Sequence, residues 1–320
     1  MTRSSPRSLF RFRAVPRSLC AVATLFTAIL FSICSSTFAQ GKSSPPPKAN
    51  RARAAAILRD ATFHSPSLNR DMHYRILLPA NYEASAQRYP TLFLLHGLYG
   101  DDQNWSTRTN LVNYARDLNL IIAMPDAGNS WYVNSATNPE DRYEDYIVKD
   151  FIAEIDTHYR TIREGYMRAI AGLSMGGYAA VKFCLKYPSL FAYVGGISAA
   201  LDASADLDET HPEFRDGLRK AFGESGNPAR SHSDVFVLLS HTDGKGLPYF
   251  YVDCGSEDMF LEVNRKFVVR LQERKIPYEF HEFSGGHSWS YWDAAIERFL
   301  LMLAKSNFAR GAMRRGTVPQ

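Results

Sequence analysis

Residues 168–183 read RAIAGLSMGGYAAVKF, and the clearest indication of the fold lies here. An apolar run ends at Gly172, an alanine-rich helical pattern follows Gly176, and Ser174 lies between the two glycines. Because glycine has no Cβ, a turn flanked by glycines can approach neighbouring backbone closely. A strand, a Gly-x-Ser-x-Gly turn and a helix in that order predict a serine hydroxyl presented at the carboxyl end of a sheet. The alternative is a glycine-rich helix start in which Ser174 is only an N-cap.

On both sides of this turn, short apolar runs alternate with longer helical patterns from about residue 57 onward. Such an alternation predicts one α/β domain, in which a mostly parallel sheet is covered by helices on both faces. An irregular stretch at 201–247, with weak helical patterns near 211–222 and 228–240, is expected to form a cap or rim. The predicted strands cover 72–79, 91–97, 118–126, 167–172, 191–199, 248–255 and 277–283, and the predicted helices cover 142–159, 175–188, 257–275 and 288–305.

Composition and charge narrow the possible partners. The chain has 320 residues, of which 45% are hydrophobic and 22% charged, as in soluble globular proteins. The net charge is +4, and much of the basic excess lies at the two ends of the chain. Since the middle offers no basic stripe, a nucleic-acid partner is not expected. The oligomeric state stays open.

The first 39 residues have the pattern of a signal peptide. An arginine-rich stretch precedes an apolar run, and small residues with Thr37 and Ala39 at the recognition positions follow it. The run is about 15 residues long, shorter than the roughly 20 that span a membrane, although an uncleaved anchor remains the alternative. We expect cleavage after Ala39 and export to the periplasm or the medium. A linker at 40–56, the α/β domain at 57–306 and a basic, disordered tail at 307–320 complete the predicted organisation.

Export makes the cysteines informative. Cys184 and Cys254 remain after removal of the signal peptide, and an oxidising compartment permits a disulfide between them. Both lie in apolar segments, where a lone cysteine usually behaves as a small buried hydrophobe. No cysteine and histidine spacing resembles a zinc site, so no metal is predicted.

A nucleophilic serine needs a histidine base and a carboxylate that orients the base. In this architecture they follow the serine in the order acid, histidine, each after a later strand. Glu257 and Asp258 directly follow the predicted strand 248–255, and His287 follows the strand 277–283. The order therefore predicts Asp258 as the acid and His287 as the base.

Three other residues compete for these roles. Asp253 lies within a predicted strand, where the sheet restrains its side chain, and Glu257 is next to the favoured acid. We favour Asp258 over both because of its position in the loop after the strand. His281 also lies within a strand, whereas His287 lies in a loop between Gly286 and a new helix.

The developing oxyanion needs donors, usually two backbone N–H groups. The Met175 N–H, directly after the serine, is one candidate. The Leu98 N–H is the other, in the loop after the strand at 91–97, where Gly97 allows a tight turn. We expect His96 to stabilise this loop through hydrogen bonds rather than to transfer protons.

Four stretches together resemble the esterase D family of α/β-hydrolases, which includes S-formylglutathione hydrolases, tributyrin-type and feruloyl esterases, and related mycolyltransferases. The stretches are LLHGLYGDDQNW, AIAGLSMGGYAA, YVDCGSEDMF and SGGHSWSYW, and the resemblance runs from about Ala61 to Lys305. It implies the α/β-hydrolase fold and the catalytic and oxyanion roles assigned above. It implies no metal or organic cofactor.

The expected activity is that of a secreted serine esterase acting on short-chain or small acyl esters. Five residues are predicted to bind substrate, and the aromatic ones can stack on a sugar or phenolic ring: Gly97, Asn129, Trp131, Tyr132 and Trp289. The alternatives are an acyltransferase to a sugar hydroxyl, a thioester hydrolase of the S-formylglutathione type, and a non-catalytic carbohydrate-binding module. Export weakens the second of these, since formylglutathione hydrolases are usually cytosolic.

Overall fold

The computed structural model describes residues 56–205, 207–306 and 308. The predicted signal peptide, the linker up to residue 55 and the basic tail, apart from residue 308, lie outside the described residues. Within these ranges, no helix combines the length and the apolar character needed to cross a bilayer.

Eight strands form one sheet in the order β1-β2-β4-β3-β5-β6-β7-β8. β2 pairs antiparallel with both β1 and β4, and the other neighbours are parallel, which confirms the predicted sheet. β1 was not predicted, because its sequence ILRDATFHS lacks a continuous apolar run. The strands are β1 (Ile57–Ser65), β2 (Arg70–Leu78), β3 (Thr91–Leu95), β4 (Ile121–Pro125), β5 (Arg168–Leu173), β6 (Tyr193–Ile197), β7 (Tyr249–Gly255) and β8 (Tyr278–Phe283).

The helices include all those expected from the sequence and three short ones that were not, at Asn104–Arg108, Leu111–Tyr114 and Leu207–Thr210. The single helix predicted at 142–159 consists of α3, a π-helical segment at Tyr146–Phe151, and α4. The helices are α1 (Asn104–Arg108), α2 (Leu111–Tyr114), α3 (Tyr143–Asp145), α4 (Ile152–His158), α5 (Met175–Lys186), α6 (Leu207–Thr210), α7 (Arg215–Phe222), α8 (Pro228–Ser233), α9 (Val235–His241), α10 (Leu261–Glu273) and α11 (Trp289–Lys305). Short 3₁₀ turns occupy Gly165–Met167, Pro188–Leu190 and Pro212–Phe214.

The core lies on both faces of the sheet. Successive side chains of a strand point to opposite faces. Phe93 and Leu95 of β3 accordingly pack in a cluster that includes α5, while Leu92 and Leu94 pack in another that includes α11. Because both faces of the sheet are covered, the sequence of β3 is an unbroken apolar run. The loop that follows β3 lies at the carboxyl end of the parallel strands.

The irregular stretch 201–247 contains α6 to α9. Arg230 forms a buried, bidentate ion pair with Asp208, with both N–O distances 2.9 Å. The Tyr178 hydroxyl of α5 donates to the carbonyl oxygen of Ser233, at 2.8 Å. The stretch is therefore packed onto the helix that follows Ser174.

The two cysteines do not pair. Cys184 and Cys254 are both free and buried. Burial raises the pKa of each thiol, so both stay protonated at neutral pH. They behave as the small hydrophobes favoured by the sequence.

Candidate active site

Ser174 lies on a tight turn between β5 and α5. Its backbone is left-handed, with φ 53° and ψ −117°. A Cβ on Gly172 would lie 2.5 Å from the carbonyl carbon of Gly176, and a Cβ on Gly176 would lie 2.5 Å from the carbonyl oxygen of His96. Both glycines are therefore required by close backbone approach. Ser174 occupies the N-cap position of α5, but its side chain makes no capping hydrogen bond.

The Ser174 hydroxyl instead meets His287. His287 Nε2 lies 3.0 Å from Ser174 Oγ, and Nδ1 lies 3.0 and 3.1 Å from the two carboxylate oxygens of Asp258. Because a carboxylate only accepts, Nδ1 carries the proton and Nε2 can accept one from the serine. The three side chains thus form one hydrogen-bonded chain.

The Asp258 carboxylate is fully buried. One of its oxygens accepts the Phe260 N–H at 2.9 Å. Burial alone would raise the pKa of Asp258, but the hydrogen bond and charge interaction with His287 hold it below its usual range. An ionised Asp258 can therefore orient His287 and stabilise an imidazolium.

Asp253 has a different set of partners. Its carboxylate accepts from Tyr251 Oη at 2.9 Å and from Arg298 Nε and Nη2 at 2.9 and 3.0 Å. These contacts join β7 to α11. Asp253 is thus committed to an internal ion pair, away from Ser174.

Glu257 and His281 are also occupied elsewhere. Glu257 Oε1 accepts from the Ser284 hydroxyl at 3.0 Å, and His281 Nε2 lies 3.1 Å from Glu279 Oε2. The structure gives neither of them a contact with Ser174. Of the acids and histidines considered from the sequence, only Asp258 and His287 form the chain to the serine.

The loops that carry Asp258 and His287 are fixed against each other by backbone. A Cβ on Gly255 would lie 2.0 Å from the carbonyl oxygen of Gly285. The Glu257 N–H donates to that same oxygen at 3.0 Å. Glycine at position 255 therefore sets how closely the two loops approach.

The loop after β3 lies against the serine turn. A Cβ on Gly97 would lie 2.3 Å from Leu173 Cδ1 and 3.4 Å from Ser174 Cβ. In the part of the chain that the structure describes, the N–H groups of Leu98 and Met175 donate to no protein acceptor. Two donors thus remain for a ligand at the places predicted from the sequence.

His96 stabilises the loop after β3 through hydrogen bonds. It is buried, its Nδ1–H donates to the Gly97 carbonyl at 2.7 Å, and its Nε2 accepts the Ala127 N–H at 3.0 Å. Burial lowers the pKa of His96, so the ring stays neutral. It joins the loops after β3 and β4 and makes no contact with the Ser174 hydroxyl.

The prediction that Tyr132 binds substrate is wrong. Tyr132 is fully buried and its hydroxyl donates to the His96 carbonyl at 3.1 Å. Lys182 Nζ in turn donates to the Tyr132 carbonyl at 2.7 Å and to Glu144 Oε2 at 2.9 Å. Trp131 and Tyr132 both have φ 54°, which is uncommon for aromatic residues. Tyr132 supports the loop after β3.

A cleft of about 290 Å³ opens at Ser174 and His287. Besides Ser174 and His287, four of the predicted residues line it: Gly97, Leu98, Trp131 and Trp289. Asn129 does not line it, which is a second correction, because its Oδ1 accepts the Tyr99 N–H at 2.7 Å and it faces a separate cavity of about 270 Å³. Sequence reasoning missed eight other lining residues, namely Tyr99, Gly100, Asn104, Arg108, Leu173, Phe214, Phe260 and Trp292.

Phe214 comes from the stretch 201–247, so this stretch contributes to the rim of the cleft. Phe260 and Trp292 lie close in sequence to Asp258 and His287, a signal that could have identified them. For a metal, residues 56–205, 207–306 and 308 contain no group of three or more His, Cys, Asp or Glu side chains that could hold one.

The sheet order and the serine turn after β5 define an α/β-hydrolase, as predicted. The chain matches the family described as "Putative esterase" over residues 65–303 and belongs to that family. The resemblance noted from the sequence and the class of carboxylic ester hydrolase are thereby confirmed.

Three relatives illustrate the range of similarity. An acetyl esterase of Caldicellulosiruptor saccharolyticus is 24% identical over 258 residues, which cover 76% of this chain and 96% of that protein. Esterase Rv1288 of Mycobacterium tuberculosis is 30% identical over 70% of this chain, and the match spans 54% of that relative's length. The structure of FphF, a fluorophosphonate-binding serine hydrolase of Staphylococcus aureus, aligns with a TM-score of 0.71 and 26% identity over 79% of this chain and 100% of that chain.

Proposed function

We propose that the chain is a serine carboxylesterase that hydrolyses short-chain or small acyl esters. The observation that carries the proposal is the hydrogen-bonded chain from Ser174 Oγ through His287 to Asp258, with contacts of 3.0 Å on each side of the imidazole. The free N–H groups of Leu98 and Met175 beside the serine turn support it.

The first half-reaction forms an acyl-enzyme. Ser174 Oγ bonds to the ester carbonyl carbon while His287 Nε2 takes the hydroxyl proton. The carbonyl oxygen becomes an oxyanion, which the two N–H groups stabilise. When the intermediate collapses, the bond to the alcohol oxygen breaks, and His287 returns its proton to the leaving alkoxide.

The second half-reaction consumes water. His287 takes a proton from the water as its oxygen bonds to the acyl carbon. Collapse breaks the bond to Ser174 Oγ, which regains a proton from His287, and the carboxylic acid leaves. Asp258 keeps the imidazole in the required tautomer and stays ionised throughout.

The cleft supports the small size of the substrate. Its volume of about 290 Å³ is at the lower end of the range for small-molecule sites. Trp289, Trp292 and Phe260 form an aromatic wall beside His287. Such a wall suits an acetyl or butyryl group, or the ring of a phenolic or sugar ester. The similarity to an acetyl esterase favours short acyl groups as well.

Hydrolysis of p-nitrophenyl acetate and butyrate by the protein and by Ser174→Ala tests the proposal. We expect kcat to fall by about 10⁴-fold or more in Ser174→Ala. Ser240→Ala, which alters an exposed serine of α9, should keep the original rate. Equal rates in all three proteins would refute a serine mechanism. Added sugar alcohols show whether water or a hydroxyl accepts the acyl group.

We also propose that the protein is exported, on the sequence pattern of residues 1–39. Protein recovered from the periplasm or the medium should begin at Gln40. Recovery of the intact amino terminus from the cytoplasm alone would contradict this.

A further inference from the structure

Arg108 has a distinct position in the cleft. It is the last residue of α1, its side chain is exposed, and it lines the same cleft as Ser174. The other residues that line the cleft are aliphatic, aromatic, neutral polar or glycine, apart from the His287 base. Arg108 therefore provides the fixed charge of this cleft.

Its guanidinium is not committed to a carboxylate. Among the residues that the structure describes, the Arg108 guanidinium has no ion pair and donates no hydrogen bond. Its contact is with the Trp289 ring, 5.7 Å from the guanidinium carbon to the ring centroid. Arg298 and Arg75, by contrast, are paired with Asp253 and Asp60. Stacking on an aromatic face leaves the five N–H donors of a guanidinium available to a ligand.

An aromatic wall connects this cation to the reacting atoms. The centroids of Trp289 and Trp292 are 5.1 Å apart, and those of Trp292 and His287 are 4.8 Å apart. A substrate whose carbonyl carbon lies at Ser174 can thus extend along the wall until it reaches Arg108. A planar guanidinium binds a carboxylate through two parallel hydrogen bonds.

We propose that Arg108 is a specificity-determining residue that binds a carboxylate on the substrate, so that the preferred substrates are anionic esters whose acyl or alcohol part lies against Trp289. This inference rests on the proposed esterase function, whose nucleophile it uses. The carboxylate belongs either to the acid part or to the alcohol part of the ester, and the experiment separates the two.

Two matched pairs of esters test it. The first pair is 4-acetoxybenzoate and its methyl ester, which differ in charge on the alcohol part. The second is the p-nitrophenyl half-ester of adipic acid and the same compound with its free carboxyl methylated, which differ in charge on the acyl part. The proteins are the original chain, Arg108→Gln, Arg108→Glu and the control Arg270→Gln, which removes an exposed charge of α10.

For one of the pairs we expect Arg108→Gln to lower the ratio of kcat/KM for the anionic over the neutral ester by about fivefold, the range of exposed ion pairs. The loss should come from KM with kcat retained, because the contact is made equally before and during reaction. Arg108→Glu should lower the ratio further, and Arg270→Gln should leave it unchanged. Raising the salt concentration should reduce the difference between the original chain and Arg108→Gln.

An unchanged ratio in Arg108→Gln for both pairs would overturn the proposal. If hydrolysis proves independent of Ser174, the proposed function fails, and binding tests the subsite separately. Calorimetry of 4-acetamidobenzoate and of the monoanilide of adipic acid, each beside its methyl ester, serves this purpose with Ser174→Ala, with and without Arg108→Gln. A preference for the carboxylate in either pair that disappears with Arg108→Gln supports the subsite, and equal binding within both pairs overturns it.

Discussion

The two sides of Ser174 are built in different ways. On one side, Asp258 in the loop after β7 bonds His287 in the loop after β8, and His287 bonds the serine. On the other, the loop after β3 offers the backbone N–H of Leu98, and the position of this loop depends on the buried residues His96 and Tyr132. The first side therefore depends on a few reacting groups, whereas the second distributes its support over residues that touch no substrate. Substitutions should separate the two sides by the size of their effects.

The largest effect is expected at the carboxylate. Asp258→Asn preserves the size of the side chain but favours the wrong imidazole tautomer, so kcat should fall by about 10³- to 10⁴-fold. Glu257→Gln is the matched control, because Glu257 is exposed and bonds Ser284. Steady-state kinetics with p-nitrophenyl acetate measures both. A similar loss in Glu257→Gln would show that the acid was assigned to the wrong residue.

A smaller loss is expected where the two loops touch. Alanine at position 255 would place its Cβ 2.0 Å from the Gly285 carbonyl oxygen, so the loops carrying Asp258 and His287 must move apart. Displacement on this scale lowers kcat/KM by about 100-fold. The free energy of unfolding should fall by about 1–3 kcal/mol.

Gly286→Ala is the control for this prediction. Its Cβ would meet the Glu257 carbonyl oxygen at 3.5 Å, an ordinary contact. Its rate should therefore stay close to that of the original chain. Gly255→Ala with full activity would show that the loops are less tightly fixed than the contact distances indicate.

On the other side of Ser174, Tyr132→Phe removes the hydrogen bond to the His96 carbonyl. We expect kcat to fall by about tenfold with KM unchanged, equivalent to ~1.4 kcal/mol, because the oxyanion donors shift while the reacting groups stay in place. Tyr178→Phe also removes a buried hydroxyl bonded to a carbonyl, that of Ser233. Tyr178→Phe should lower the free energy of unfolding by ~1.4 kcal/mol. It should leave kcat unchanged. Equal kcat values for Tyr132→Phe and Tyr178→Phe would show that the Tyr132 hydroxyl does not position the loop after β3.

The smallest effect on activity is expected at Glu144. Burial alone would raise the pKa of Glu144, but the charges of Lys182 and Lys186 hold it at about 2, below its ordinary value of 4.5. The carboxylate therefore contributes stability that is present above about pH 4.5 and is lost as the pH falls toward 2, on the order of 3 kcal/mol. Burial lowers the pKa of Lys182 to about 8. Glu144 is therefore ionised and Lys182 protonated between about pH 2 and pH 8.

Chemical denaturation between pH 2 and 7 measures this contribution. The free energy of unfolding should fall less steeply with acid in Glu144→Gln than in the original chain. Glu140→Gln, an exposed neighbour, is the control and should retain the original slope. Identical slopes for the original chain and Glu144→Gln would contradict a charged Glu144 in the folded protein.

The features of the fold and the site that could be predicted are those encoded by a short, continuous stretch of sequence. The buried strands around Ser174 are continuous apolar runs, and the glycines of the turn are required by backbone contacts. The order of Asp258 and His287 followed from the strands that precede them. Local patterns therefore predicted the side of the site that consists of reacting side chains.

The parts that the sequence did not predict depend on packing between distant segments. An aromatic residue after a strand has the same sequence pattern whether it faces the cleft or the interior. Trp131 and Tyr132 are neighbours with the same φ, yet Trp131 lines the cleft and Tyr132 bonds the buried His96 carbonyl. Arg108 belongs to a helix of five residues, too short for a periodic pattern, and reaches the cleft because α1 packs beside Trp289. β1 was missed because its alternation is interrupted by charged residues such as Arg59 and Asp60.

Trapping the acyl-enzyme shows whether Ser174 is the nucleophile. The protein is mixed with p-nitrophenyl acetate, quenched in acid within the first turnover, digested and analysed by mass spectrometry. We predict an acetyl group on Ser174 together with a burst of p-nitrophenol in proportion to the enzyme. Hydrolysis that proceeds with no acetyl group at Ser174, and that persists in Ser174→Ala, would show that Ser174 is not the nucleophile.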